Sequence, residues 1–325
     1  MSEKRLWLDC DPGHDDATAI LLALHLPVLK LVGVSTVHGN TNADNTFANA
    51  LRCLHAFGAP PSLLVHRGAS SPLLKASKAD PEIHGNSGLG GVEGLLDALD
   101  PVIVQLAERS ANLRAVEGIA QAVKDAKTSN QLLTIVSTGP MTNIALFVSV
   151  YPDLLDGVEE FVFMGGAVGT GNRSSVAEYN ILCDPEAAQI VLNCPVKTVM
   201  VPINVTHTAI VTKSIHNLLL DPSTTYEAVF GFMDGPPLHD PLAVAMAAYP
   251  SLFKCKRYRV DVECQSALTS GETVVDIWNY RKCDDSWGKE GRNCLVAESL
   301  DVDAFFKLFL ECVDRCDKAS PLNRN

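Results

Sequence analysis

Four carboxylates fall within eight residues near the start of the chain, in the run Asp9-Cys10-Asp11-Pro12-Gly13-His14-Asp15-Asp16. Like charges at that density raise one another's pKa. The cluster therefore requires protonation, exposure to solvent or a hard divalent cation such as Ca²⁺ or Mg²⁺. One or two of the aspartates could serve as helix caps that complement the positive end of a helix, and for Asp9 a supporting role is as good a reading as a direct one. Four exceed what capping needs.

Two other readings of the acidic run fail on pattern. An EF-hand loop needs a Glu at its twelfth position, and counting from Asp9 that position is Ile20. A phosphatase of the haloacid dehalogenase type opens with a similar D-x-D after a hydrophobic strand, but Gly13 stands where that pattern has Thr or Val. Further polar groups follow later apolar runs: His38-Gly39-Asn40, Thr138-Gly139-Pro140 and the stretch from Asn172 to Asn180. In an open parallel sheet the carboxyl ends of the strands form the binding crevice, so these segments should converge on the acidic turn.

The elements that would position these groups alternate. Strand-length apolar runs lie at Leu6 to Leu8, Leu31 to Val34, Leu132 to Val136, Phe161 to Met164 and Val199 to Ile203. Helical spacing of apolar residues appears at Asp15 to Leu26, Ala43 to Phe57, Met141 to Val150 and Pro185 to Asn193. This alternation predicts an α/β fold: one domain over residues 1–325, with a mainly parallel, Rossmann-like open sheet flanked by helices. Past Asn204 the pattern loosens, with helices expected at Asp240 to Ala248 and Val302 to Val313, and strands at Tyr258 to Val262 and Val274 to Tyr280. The glycine-rich stretches Gly85 to Gly94 and Gly165 to Gly171 lack the spacing or the preceding strand of a phosphate cradle and read as mobile loops.

Composition narrows the function classes. The 325 residues are 47% hydrophobic and 20% charged, an ordinary globular balance, and the formal net charge is −12. With no dense Lys/Arg run, a phosphate backbone would be repelled, so nucleic acid is not an expected partner. No apolar run is long enough to span a bilayer and the N-terminus lacks a signal-peptide pattern, which predicts a soluble, cytoplasmic protein. The ten cysteines are scattered without a C-x-x-C pair, as expected of reduced thiols acting as small buried hydrophobes.

Seven blocks in order, DCDPGHDD at 9–16, HGN at 38–40, IHGNSG at 83–88, STGPMTNIA at 137–145, MGGAVGTGN at 164–172, AEYNILCDPEAA at 177–188 and HDPLAV at 239–244, resemble the inosine-uridine type nucleoside hydrolases. The resemblance is nearest to the eukaryotic uridine-type members and is diffuse over the C-terminal eighty residues. It implies hydrolysis of the N-glycosidic bond of ribonucleosides (uridine, inosine or xanthosine). It also implies a calcium ion held by the carboxylates of Asp11, Asp16 and Asp240 and the backbone carbonyl of Thr138, with Asp11 as general base. Asp15 and Asn180 would hold the ribose diol, Asn172 and Glu178 the 5′ hydroxyl, and Asn40, Met164 and Asn204 would line the same cup. His239 would protonate the leaving base, with His84 a second candidate; base contacts would come from residues 84–94 and 223–238. Family members are commonly dimers or tetramers, so a homo-oligomer is expected. Two rival readings remain: a metal-dependent phosphatase on the same acidic turn, and a non-catalytic nucleoside or ribose sensor that kept the cup.

Overall fold

The computed structural model describes residues 3–219 and 235–323. Its elements in chain order are β1 (Lys4–Cys10), α1 (His14–His25), β2 (Leu29–Thr36), α2 (Ala43–Ala56), β3 (Val65–Arg67), α3 (Pro81–His84), α4 (Pro101–Ser110), α5 (Ala115–Thr128), β4 (Leu133–Ser137), α6 (Thr142–Val150), β5 (Val158–Met164), α7 (Tyr179–Cys183), α8 (Pro185–Leu192), β6 (Thr198–Val201), α9 (Ile203–Thr206), α10 (Lys213–Leu219), α11 (Pro241–Ala248), β7 (Phe253–Tyr258), β8 (Val260–Val262), β9 (Thr273–Val275), β10 (Cys294–Leu300) and α12 (Val302–Ala319). An eight-stranded sheet runs β3-β2-β1-β4-β5-β6-β10-β7, parallel throughout except for β7 at its edge; β8 and β9 form a separate antiparallel pair.

The strands read as continuous apolar runs because both faces of the sheet are covered. Leu6 and Leu8 of β1, with Val162 and Met164 of β5, pack against α1, α2, α11 and α12 through Ile20, Leu22, Phe47, Leu242 and Phe305. The alternate residues Trp7, Phe161 and Phe163 point the other way, onto α5, α6 and α8 through Ile119, Val123, Phe147 and Val191. Helix starts follow capping chemistry: the Asn42 side chain accepts the N–H groups of Asp44 and Asn45 at 3.1 and 3.0 Å, and Asp301 accepts that of Ala304 at 3.1 Å.

The strand order has one consequence for function. From β1 the chain winds outward through β2 and β3, and from β4 it winds the other way through β5 and β6, so the connections diverge between β1 and β4. That divergence opens a crevice at the strands' carboxyl ends. The acidic turn leaves β1 there, beside Ser137 at the end of β4.

Two strand expectations in the C-terminal part are corrected. Tyr258 to Val262 is not one strand but two, broken at Arg259, which is buried and donates to the carbonyls of Gly288 and Lys289. Beyond the break the Asn293 side chain takes a sheet partner's place, bonding both N–H and C=O of Val260 at 2.8 Å. The strand expected at Val274 to Tyr280 ends at Val275, because the Asp276 carboxylate accepts the N–H groups of Tyr280 and Arg281 and closes a turn. The other expected strands and helices form within a few residues of their predicted bounds, although α12 runs on to Ala319. All ten cysteines are free thiols and seven are buried.

The Trp7 indole shows how tightly this sheet packs. It lies across Gly33 of β2 and donates from Nε1 to Ser35 Oγ at 2.8 Å. A Cβ on Gly33 would sit 2.2 Å from its ring. Gly33→Ala should therefore destabilise the protein by about 1–3 kcal/mol in urea unfolding, the usual cost of overpacking. Most of that loss should vanish when Trp7→Leu supplies the room; an equal loss in both backgrounds would show that the indole is not the cause.

Candidate active site

Asp11, just past β1, is fully buried and is held by the backbone of neighbouring strand ends. Its Oδ2 accepts the Asn40 N–H at 2.7 Å, and its carbonyl accepts the Asn40 side-chain amide at 3.1 Å. Two glycines let the chain close around this carboxylate: a Cβ on Gly39 would lie 1.9 Å from Oδ2, and one on Gly139 would lie 2.4 Å from Oδ1. Asp11 Oδ1 itself is buried without a hydrogen-bond partner among the described residues.

Asp16 in the first turn of α1 accepts the N–H groups of Asp11 and Gly13 at 3.3 and 3.0 Å, the Asn40 amide at 3.0 Å and the Thr138 hydroxyl at 2.7 Å. Asp15, Asp16 and Asp240 bring one carboxylate oxygen each to within 4.8 Å of one another. Burial, and after it repulsion from neighbouring carboxylates, holds Asp11 and Asp240 well above the usual carboxylate range; the same causes push Asp16 to about 7. A group of all-oxygen donors, in which Asp11, Asp16 and Asp240 have raised pKa values and one buried oxygen is unpartnered among the described residues, matches the chemistry of a hard divalent cation, which would offset the repulsion. This cluster could hold a metal ion. Asp9 takes the supporting place: its Oδ1 accepts from Ser35 and, at 2.8 Å, from Asn143.

The expected sugar-binding residues gather around the same crevice, several with structural duties of their own. Asn180 donates to the Thr138 carbonyl at 2.8 Å and to the Met164 carbonyl at 3.1 Å, tying the ends of β4 and β5 together. The buried Glu178 caps α7, accepting the N–H groups of Asn180, Gly166 and Ile181, and burial raises it to about 7 against those bonds. Asn172 accepts the Tyr179 N–H at 3.0 Å. Asn204 spends both ends of its amide on Val168, so it holds the Gly165 to Gly171 loop.

The two histidines approach from opposite segments. His84 ends α3 and accepts the His14 backbone N–H on Nδ1 at 3.3 Å. The glycine-rich loop after it is tethered: the Asn86 carbonyl accepts from Thr41 and Asn45, and that of Ser87 from Asn49. His239 bonds Thr206 through Nδ1 at 2.7 Å, and burial lowers its pKa to about 4. Of the expected base-contacting segment 223–238, residues 223–234 lie outside the described residues.

Several contributors are not singled out by residue type in the sequence, although Arg173 and Tyr179 lie within the Asn172 to Asn180 stretch. Arg173 pairs with Asp80, whose N–H donates to the Asn40 carbonyl, so the loop before α7 is strapped to the segment before α3. Tyr179 donates to the carbonyl of Gly39 at 2.8 Å. The role of each depends on a partner that the fold brings from a distant part of the chain. Thr206 is equally silent in sequence.

A family model described as inosine-uridine preferring nucleoside hydrolase matches residues 6–307. The chain is 38% identical over 333 residues to a probable ribonucleoside hydrolase of Dictyostelium discoideum, covering 96% of this chain and 94% of that protein. It is 37% identical over 323 residues to the pyrimidine-specific ribonucleoside hydrolase RihA of Shewanella baltica strain OS155, covering 95% of each. Among solved structures, the purine-preferring ribonucleoside hydrolase from Gardnerella vaginalis matches with a TM-score of 0.82 at 30% identity, covering 97% of this chain and 99% of that one. A plant nucleoside hydrolase, PpNRh1, matches with a TM-score of 0.80 at 28% identity, covering 95% and 98%. With the family match running from the first strand into the last helix, and relatives alike over nearly their whole lengths, the chain belongs to the inosine-uridine preferring nucleoside hydrolases, enzymes that cut the N-glycosidic bond of ribonucleosides.

Proposed function

We propose that this chain, as one catalytic domain over residues 1–325, hydrolyses uridine, inosine or xanthosine to free base and ribose, with Ca²⁺ as its metal and Asp11 as general base. The observation that carries this reading is the buried, unpartnered Oδ1 of Asp11 beside the Asp15, Asp16 and Asp240 carboxylates. Among the described residues no Lys or Arg forms an ion pair with any of these four. A phosphate ester would meet uncompensated negative charge there, which disfavours the phosphatase reading. No helix among the described residues is long and apolar enough to cross a membrane. A cytoplasmic homo-oligomer, dimer or tetramer, is the expected setting.

Asp11, Asp16, Asp240 and the Thr138 carbonyl would hold the cation. When bound, it supplies attraction for the ribose hydroxyls and lowers the pKa of water modestly. Asp11 takes the proton of the attacking water, and Asp15 and Asn180 orient the ribose diol, with Met164 and Asn40 beside them. Asn172 and Glu178 face the 5′ hydroxyl. As the base departs, positive charge grows on the ribose ring, and a cup of carboxylates and amides stabilises that charge more than it stabilises neutral substrate. His239 assists the leaving base, with His84 a second candidate for that role. Attack from the face opposite the base gives inversion at the anomeric carbon.

Asp11→Ala should lose roughly 10²–10⁴-fold or more in kcat, the range of general-base removal, and should weaken Ca²⁺ binding by calorimetry. Near-normal hydrolysis with calcium still bound would remove Asp11 from both roles. A site built around the ribose diol should also discriminate against 2′-deoxynucleosides by up to about 10⁴-fold in kcat/KM. Equal kcat/KM for uridine and deoxyuridine would refute the assignment of the diol to this cluster. Finally, help to the leaving group matters only when that group is poor. His239→Ala should slow the best ribonucleoside substrate by about 10²–10⁴-fold yet barely slow p-nitrophenyl riboside. Equal losses on both substrates would make His239 structural.

A further inference from the structure

Thr206, the last residue of α9, is fully buried, and its hydroxyl has one hydrogen-bond partner among the described residues, Nδ1 of His239 at 2.7 Å. A hydroxyl carries one proton to give and an imidazole nitrogen can be donor or acceptor, so two arrangements fit that distance. Only one satisfies every hydrogen. If Nδ1–H donated to Thr206 Oγ1, the buried hydroxyl proton would have no acceptor among the described residues, and a ring carrying hydrogen on both nitrogens would strand it in the same way. Leaving a buried donor unmade is more costly than an average hydrogen bond is favourable. The satisfied arrangement has Thr206 Oγ1–H donating to Nδ1, which puts the single ring hydrogen on Nε2. Nε2 makes no hydrogen bond among the described residues, so it is the nitrogen left to meet a ligand.

We propose that Thr206 is a positioning residue for departure of the base, holding His239 in the tautomer that presents Nε2–H to the leaving group. The inference rests on the assignment of His239 to base departure made above. In the step it serves, the C1′–N bond breaks with its electron pair passing to the base. The Nε2–H donates a hydrogen bond to the base as negative charge grows there. Water adds its hydroxide to C1′ and leaves its proton on Asp11, from which the base is protonated through solvent. His239 keeps its own hydrogen, acting as a hydrogen-bond donor to the base rather than as the proton donor that the resemblance implies, and atoms and charge balance. The backbone N–H of His14 donates to Nδ1 of His84 in the same sense, so both rings that face the base side are set with hydrogen on Nε2.

Thr206→Val keeps the branched shape and removes the hydroxyl; Thr206→Ser keeps the hydroxyl. Each is assayed on the best ribonucleoside substrate and on p-nitrophenyl riboside, and the ring nitrogen shifts of His239 are read by long-range ¹H–¹⁵N correlation in the full-length wild-type protein. Thr206→Val should lose roughly 10–100-fold in kcat on the ribonucleoside, with KM little changed and p-nitrophenyl riboside nearly unaffected. Thr206→Ser should restore kcat, and the wild-type spectrum should show a protonated Nε2 and a bare Nδ1. Equal losses on the two substrates, no loss, or a spectrum with hydrogen on Nδ1 would each overturn the proposal. The spectrum decides the question even if Thr206→Val fails to fold. A selective loss in His239→Ala without one in Thr206→Val would overturn the role of Thr206 alone, whereas non-selective loss in His239→Ala would overturn the reading of His239 and this inference with it.

Discussion

Keeping ionisable carboxylates out of water is the constraint on which this structure depends. Asp9, Asp11, Asp16 and Asp240 are all buried, and burial drives each of them above the range of an ordinary carboxylate. Asp9 Oδ1, Asp11 Oδ2 and both oxygens of Asp16 are offset by backbone N–H groups, amides and hydroxyls from neighbouring strand ends. Asp9 Oδ2 and Asp11 Oδ1 have no such partner among the described residues. Removing a carboxylate from water without a partner is among the most expensive arrangements in a protein interior, and a cation held by this cluster would offset that cost.

The rest of the sheet supplies that arrangement. The reversal of winding between β1 and β4 leaves the ends of both strands uncovered by crossover helices, and the acidic turn and Thr138 emerge there side by side. Gly39 and Gly139 allow the two loops to close on Asp11 where any side chain would collide with its oxygens. Asn40 then links the pair of carboxylates, Asn180 links β4 to β5, and the Arg173–Asp80 pair straps the outer loops together. Groups that hold substrate in the proposed mechanism are thus the same ones that fix the loops, which keeps their geometry rigid before substrate arrives.

In the proposed mechanism carboxylates and neutral imidazoles serve different parts of the substrate. Asp15 and Asp16 lie in the first turn of α1 and Asp240 precedes α11, and in that mechanism these carboxylates meet the positive charge that develops on the ribose. His84 and His239 border the same cluster, His84 through the His14 N–H and His239 as the residue before Asp240, and in that mechanism their neutral rings meet the departing base. Opposite developing charges are met by fixed groups that need no rearrangement as the bond breaks, and such preorganised electrostatic stabilisation usually contributes more to enzymatic rate enhancement than any other single effect.

The sequence alone determined the fold class, most strands of the parallel sheet with several of its helices, and the acidic turn, because these depend on local properties, whereas β3, α3, α4 and α5 went unread. Continuous apolar runs and period-3.6 patterns reflect which faces are buried, and four aspartates in one turn are unusual whatever surrounds them. It determined less beyond Asn204, where Asp276 closes a turn and Asn293 acts as a sheet partner; a single side-chain hydrogen bond outweighs a weak apolar pattern there. Motif placement also indicated which polar residues share a crevice, but not how their hydrogen bonds are spent. That Asn204 serves a loop, that Glu178 caps a helix, that Arg173 meets Asp80 and that Thr206 meets His239 were decided only by tertiary structure. Hydrogen bonding acts over about 3 Å between atoms, and only the packed sheet brings residues distant in sequence within that range.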